Sequence, residues 1–431
     1  MSMRKKYLLL SMVLVFALTA AGVLALAGWD QAATHKKRLQ EMYQGAVLSA
    51  LKQMEDMQLS LEKALLSGNA AHCAGYLSRV SSGGAQVQRS LSLLPLSHAA
   101  NQNAVKFANQ LSDYADTLIA QGSISAQDYA QLKNLIDSCR EYTSALSAGA
   151  EDLSASALTG APFYPDGETT KNYDSAVAYP SLIYDGPFSD GRKNLGAKGL
   201  TGLTEISREE AEKIARDFVG ADRVIRVSQG ADMGGDIPCY GVTLELSDVT
   251  LEAAVTQQGG KILWLTPDTA DFPAEKTIAE CRENALRFLS DHGYENMQFT
   301  YFQVYQGLAV LSFAATQGDT LLYPDLVKVQ MRLDQAQAVG LESRNYWQNH
   351  TARGLLQPTL SPEEAKAFVS PQLQIEKTQL CLIPTDAGER LCYEFQGAFN
   401  GDTYLLYIDA HSGEEADLLK LVESTAGLET V

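Results

Sequence analysis

Few residues in this chain stand at spacings that chemistry requires. The six histidines, His35, His72, His98, His292, His350 and His411, are scattered, and none has a neighbour at metal-ligand or catalytic spacing. A lone histidine of this kind reads as a surface or capping residue rather than a general base. There is no H-E-x-x-H, G-x-S-x-G or P-loop pattern. The adjacent acids Glu209-Glu210 and Glu363-Glu364 offer the paired carboxylates of a glycosidase. Each pair follows a serine, however, and first-turn helix electrostatics explains it better. Asp166, Asp174, Asp185 and Asp190 lack the spacing of a calcium loop, which needs about six to eight converging oxygens. Cys73, Cys139, Cys239 and Cys281 form no CxxC set, which disfavours zinc. Catalytic residues, metal ligands and cofactor-binding residues are therefore all expected to be absent.

Two stretches hold more. In LCLIPTDAGERLCYEF, a turn over Thr385–Gly388 sets Pro384 opposite Glu389, Cys381 opposite Cys392 and Leu380 opposite Tyr393. Opposed cysteines in a hairpin are either a strained disulfide or two small half-buried residues. The second stretch is LIYDGPFSD, where Leu182, Ile183, Tyr184 and Phe188 surround the turn Asp185-Gly186-Pro187 and Asp190 closes it. It lacks a base, a nucleophile and a ligand set. It reads as a turn pinned by aromatics, a candidate interdomain or partner surface.

The elements that must position these residues differ along the chain. Length alone, 431 residues, implies about two to four domains. The 52 acids against 34 bases give a net charge of −18, which repels phosphate backbones and argues against nucleic acid. Arg4, Lys5 and Lys6 precede an uncharged run over 7–28, and Trp29 follows it. A span across the roughly 30 Å hydrocarbon layer takes about 20 residues, and a retained anchor fits the length better than a cleaved signal peptide. Residues 1–6 are then a cytoplasmic tail, and everything from Trp29 onward is exported.

From 29 to 155 apolar residues recur at helical spacing, as in Leu39, Met42, Tyr43, Ala46, Val47, Ala50, Leu51 and Met54. A bundle of about four helices is expected, with breaks at Ser67-Gly68-Asn69, Ser81–Gly84, Leu94-Pro95 and Gln121-Gly122-Ser123. Residues 156–203 form a connection rich in Pro, Gly and aromatics, with Gly196–Gly202 as a flexible hinge. Three capping boxes then appear in register: Ser207 with Glu210, Thr277 with Glu280, and Ser361 with Glu364, at spacings of 70 and 84 residues. Each opens a helix followed by strand-like text, and Phe218 and Phe288 lie equally far beyond their caps. Pro371 cuts the third helix short. The repeats read as three small α+β units over 204–270, 274–348 and 358–426.

The S-x-E-E-A helix starts and the closing I-D-A-H-S-G-E at Ile408–Glu414 resemble the PepSY domain. With an anchor, a helical region and the segment Tyr179–Asp190 (YPSLIYDGPFSD) ahead of them, the whole chain resembles the YpeB family of spore-germination proteins. The fold class implied is α+β multidomain: a transmembrane helix, an all-α bundle, then three PepSY-like units, each one helix on an antiparallel sheet. The resemblance implies a non-catalytic partner that stabilises, localises and restrains a SleB-type cortex-lytic enzyme, seated on the outer face of the inner spore membrane. It fixes no oligomeric state. The competing reading is an exported peptidoglycan hydrolase or peptidase whose PepSY-like units act as built-in inhibitors.

Overall fold

The computed structural model describes residues 37–39, 41–91, 93, 98–159, 196–269, 271–305, 307–354, 357–385, 388–424 and 427–430. The expected tail and anchor, 1–6 and 7–28, lie outside these residues. No helix among the described residues is long and apolar enough to cross a membrane. The chain divides into two compact units, Met1–Asp174 and Ser175–Val431.

The first unit is helical: α1 (41–66), α2 (Ala70–Leu91), α3 (His98–Gln121) and α4 (Ala126–Thr159). Val47, Ala50, Met54 and Leu61 on α1 are buried, as their spacing predicts. At the expected break after α1, the Asn69 side chain accepts from the Ala71 and His72 N–H groups at 2.9 and 3.2 Å and so starts α2. Ser125 and Asp128 cap α4 reciprocally, each accepting from the other's N–H. Two expectations fail. The helix α2 runs straight through Ser81–Gly84, because its two glycines serve packing rather than chain reversal. A Cβ on Gly83 would lie 2.4 Å from Met57 Cγ, and one on Gly84 would lie 2.3 Å from Ser112 Oγ. The Ser112 hydroxyl also bonds across the crossing, to Val80 O and from Gly84 N. The other failure is the helical end at 155. With no Gly or Pro between Gly149 and Gly160, α4 continues to Thr159.

In the second unit all three capping boxes form. Glu210, Glu280 and Glu364 accept from the N–H of Ser207, Thr277 and Ser361 at 2.8, 2.9 and 2.8 Å, and each hydroxyl accepts in return. They start α5 (Arg208–Val219), α6 (Ile278–Asp291) and α8 (Pro362–Lys366). A further short helix, α7 (Arg344–Asn349), precedes α8. After α5 come β1 (Arg226–Gln229), β2 (Cys239–Glu245), β3 (Thr250–Thr256) and β4 (Ile262–Pro267). After α6 come β5 (Met297–Tyr305), β6 (Leu308–Gln317), β7 (Thr320–Arg332) and β8 (Gln337–Glu342). After α8 come β9 (Gln374–Thr385), β10 (Gly388–Phe399), β11 (Asp402–Asp409), β12 (Glu415–Ser424) and β13 (Gly427–Thr430).

These strand sets do not stand apart, for they run on into one 13-stranded sheet. Trp264 and Leu265 of β4 pair with Glu342 and Leu341 of β8. Gly427 of β13 pairs with Gln303 of β5. Leu321 and Leu322 of β7 pair in parallel with Cys381 and Leu382 of β9. The last two contacts close β5, β6, β7, β9, β10, β11, β12 and β13 into a hydrogen-bonded ring of eight strands. A core cluster drawn from six of them, including Leu321, Tyr323, Cys381, Ile383, Leu405 and Tyr407, fills the ring, as expected for this strand number. The segment Gly196–Gly202 is a packed 3-10 turn rather than a hinge. Leu200 is buried with Ile237, Cys239, Ala254 and Leu263, and a Cβ on Gly199 would lie 3.1 Å from the Trp347 ring.

The helix crossing gives a direct test. Gly84→Leu should destabilise the helical unit by about 2–3 kcal/mol through overpacking. Gly45→Ala, with open space around it, should instead stabilise it by up to about 1 kcal/mol. Urea unfolding of the two variants, followed by helical circular dichroism, reads both.

Candidate functional site

The residues with candidate roles do not converge. Leu182, Ile183, Tyr184, Asp185, Gly186, Pro187, Phe188 and Asp190 lie outside the described residues, as do Asp166 and Asp174. Among the described residues no group of three His, Cys, Asp or Glu side chains is placed to hold a metal ion. Glu210 and Glu364 are occupied by their capping boxes, and the histidines are far apart in contact: His292 caps α6, His350 meets Asp325, and His411 meets Thr359. All six cysteines are free thiols. The hairpin register is the expected one, with Cys381 opposite Cys392 and Leu380 opposite Tyr393. Burial pushes the Cys392 thiol up to about 12, and burial with the nearby Glu394 holds Cys381 well above the ordinary thiol value. At neutral pH neither is a thiolate nucleophile.

The structure instead gathers polar groups inside the strand ring. Tyr323 of β7 donates to the Glu394 carboxylate of β10, and Tyr407 of β11 packs edge-on to Tyr323 at 6.2 Å. Glu394 is 5% exposed. Burial raises its pKa above the ordinary value, although the two tyrosine hydroxyls and Lys377 pull the other way. Tyr323 and Glu394 border a cavity of about 110 Å³, which Gln298 and Gln379 also line while exchanging amide hydrogen bonds at 3.0 and 3.1 Å.

A second cluster ties β7 to β10 from outside the sheet. The fully buried Asp325 receives both Nη atoms of Arg353 at 2.7 and 2.9 Å. The same guanidinium reaches Glu389 through Nε and Nη2 at 2.9 and 2.7 Å. Burial opposes the Arg353 charge, but the two carboxylates hold it firmly protonated. His350 Nδ1 sits 2.7 Å from Asp325, while its ring stacks on Tyr346. The carboxylate that would orient this histidine is thus shared with an arginine fork, which makes it a strut.

The closing Asp409–Glu414 turn is also structural. Burial raises the Asp409 pKa, but the Ser412 and His411 N–H groups outweigh it and hold the carboxyl below its usual range. Ala410 O accepts from Thr359 and Leu360, fixing the lead-in to α8. Phe368 occupies the space a Cβ on Gly413 would need.

Family models match most of the chain. The model described as "YpeB N-terminal" matches residues 31–159, "YpeB sporulation, PepSY1 and PepSY2 domains" matches 170–356, and "Peptidase propeptide and YPEB domain" matches 359–417. The chain belongs to the YpeB family. "Sporulation protein YpeB" of Halalkalibacterium halodurans is 32% identical over 225 residues, 51% of this chain and 50% of that protein. "Sporulation protein YpeB" of Bacillus subtilis is 27% identical over 233 residues, 52% of this chain and 51% of that protein. The matched region spans about half the length of these relatives. The solved "Bacillus megaterium YpeB C-terminal domain" is 27% identical, covering 51% of this chain and 99% of that one, with a TM-score of 0.47. Within the YpeB frame, Tyr323, Asp325 and Arg353 fall in the 170–356 match, while Glu389, Glu394 and Tyr407 fall in the 359–417 match. The two buried clusters therefore bridge the segments that the two models describe. Asp325 interrupts the apolar run L-L-Y-P-D-L-V, and that isolated acid was the available signal.

Two consequences are measurable. Arg353→Met removes the two-point arginine contact from buried Asp325, leaving only His350 beside it, and should cost about 3–5 kcal/mol in denaturant unfolding. For Glu394 the folded pKa is raised, so its stabilising contribution is full below the ordinary glutamate value of 4.5 and is lost as pH rises through the folded value. Glu394→Gln should match the parent chain below that pH and exceed it at neutral pH. Equal slopes of stability against pH in the two chains would refute the assignment.

Proposed function

We propose that this chain is a non-catalytic, membrane-anchored sporulation protein that stabilises and localises a SleB-type cortex-lytic enzyme until germination. The observation that carries the reading is the family match in both halves, 31–159 and 170–356, with PepSY recurring at 359–417. The names of the curated relatives favour a role in sporulation. The disposition of the buried acids favours holding over catalysis: Asp325 is tied to Arg353, Glu394 to Tyr323, and Glu62 of the bundle to Arg140 at 2.8 Å.

In this reading residues 7–28 anchor the chain and the helices ending at Thr159 form a membrane-proximal bundle. The three capped segments, 204–270, 274–348 and 358–426, act as PepSY-like units whose shared sheet presents a broad protein-binding surface. The stretch Leu182–Asp190 contributes partner contacts through Tyr184 and Phe188.

Full-length protein in detergent should retain a SleB-type enzyme on a column and slow its digestion by added protease. Incubated alone with cortex peptidoglycan, it should release no muropeptides. Tyr184→Ala with Phe188→Ala should weaken retention about tenfold while leaving the fold unchanged, the scale of losing aromatic anchors. Carboxylate-dependent muropeptide release by the protein alone would reverse the reading in favour of a hydrolase.

A further inference from the structure

The cavity of about 110 Å³ in the strand ring is graded from a solvent-facing mouth to a dry inner end. Lys377 at the mouth is exposed, with Gln298 and Thr300 half-buried beside it, whereas Tyr323, Glu394 and Leu405 at the inner end are buried. The open ends of closed sheets are regular places for small ligands.

Glu394 sets the chemistry of this pocket. A carboxylate offers about four lone-pair sites, and the hydroxyls of Tyr323 and Tyr407 satisfy at most two of them. The other groups facing it from β7, β9 and β11 bring little charge. Burial holds Tyr323 and Tyr407 well above the ordinary tyrosine range and Cys381 well above the thiol range. Gln298 of β5 and Leu421 of β12 are neutral. Lys377 of β9 favours the carboxylate, but less than either tyrosine hydroxyl does, and burial outweighs all three.

This lining discriminates between guests. An anion would meet Glu394 at the inner end, and a neutral hydrocarbon would strip its water without returning a hydrogen bond. A metal ion would lack ligands, because no group of three His, Cys, Asp or Glu side chains among the described residues is placed to hold one. An ammonium group offsets the burial by donating to Glu394, and an alkyl chain behind it can lie against Leu405, Leu421 and Phe299. Cavities of about 150 Å³ take a benzene-sized guest, so a chain of about four carbons ending in nitrogen suits this smaller one.

We propose that the mouth of the strand ring is a binding site for a small primary alkylammonium, held at its inner end by Glu394. The site is independent of the partner reading above. Where the empty pocket holds Glu394 protonated, entry of the cation breaks the carboxyl O–H and sends that proton to solvent. Affinity therefore rises with pH until the carboxylate is fully ionised.

Calorimetric titration of the full-length chain in detergent with n-butylammonium chloride tests the site, with 1-butanol as the neutral control. At about pH 8 the cation should saturate a single site with a Kd on the order of 1 mM, ordinary for about five non-hydrogen atoms. 1-Butanol should bind at least about tenfold more weakly, and Glu394→Gln should cost the cation about tenfold or more, the scale of one hydrogen bond to a charged group. Between about pH 8 and pH 5 the affinity should fall about tenfold, an interval in which the alkylammonium itself stays charged. Equal binding of butanol and butylammonium, unchanged affinity in Glu394→Gln, or no saturable binding would overturn the proposal. If the variant fails to fold, the parent chain decides alone: an affinity that does not change with pH overturns it.

Discussion

A β-sheet that closes on itself has to fill its own inside and leaves no free edge along the closed part. In this protein the closure depends on two short contacts: parallel pairing of Leu321 and Leu322 with Cys381 and Leu382, and the meeting of Gly427 with Gln303. Almost every buried polar arrangement described above follows from it. Bringing β7 against β9 and β10 puts Tyr323 on Glu394 and Asp325 within reach of an arginine that also holds Glu389. The arginine arrives on the segment after α7, which is anchored by exchange between Arg353 and Gln317 and by Asn349 on Pro324. Apolar packing sets the ring's volume, and the ion pairs fix which strands face each other.

Local signals were legible where the physics is local. Three capping boxes are read from four-residue windows, because hydroxyl and carboxylate satisfy N–H groups one turn away. The hairpin register at Cys381 and Cys392 follows from the turn, since a tight connection leaves no freedom to slip. The Asn400-Gly401 pair, with φ of 52° and 87°, was an equally local hairpin sign that the strand text around it obscured. Ring closure left no such trace, because its partners lie far apart in the chain. The same holds for Arg353 and Asp325. Gly83 and Gly84 misled for a related reason: a glycine pair looks like a break until the neighbouring helix that needs the space is known.

The candidate site was legible mainly in what it excludes. Isolated histidines, dispersed cysteines and capped acids suggested a chain without a catalytic centre; among the described residues His292 caps α6, His350 meets Asp325, and Glu210 and Glu364 close their capping boxes. The family relationship and the chemistry meet at that point: a protein built to be held together through buried pairs, with its repeats merged into one surface.

Ring closure also bears on biosynthesis. A chain exported from its N-terminal end would deliver β5 and β7 long before β9 and β13, so their edges stay unpaired while the rest follows. Long-range pairing of this kind is slow and leaves strand edges open to wrong partners. The early strands are therefore most in need of protection while the chain is being made, and the segments that complete the ring arrive last.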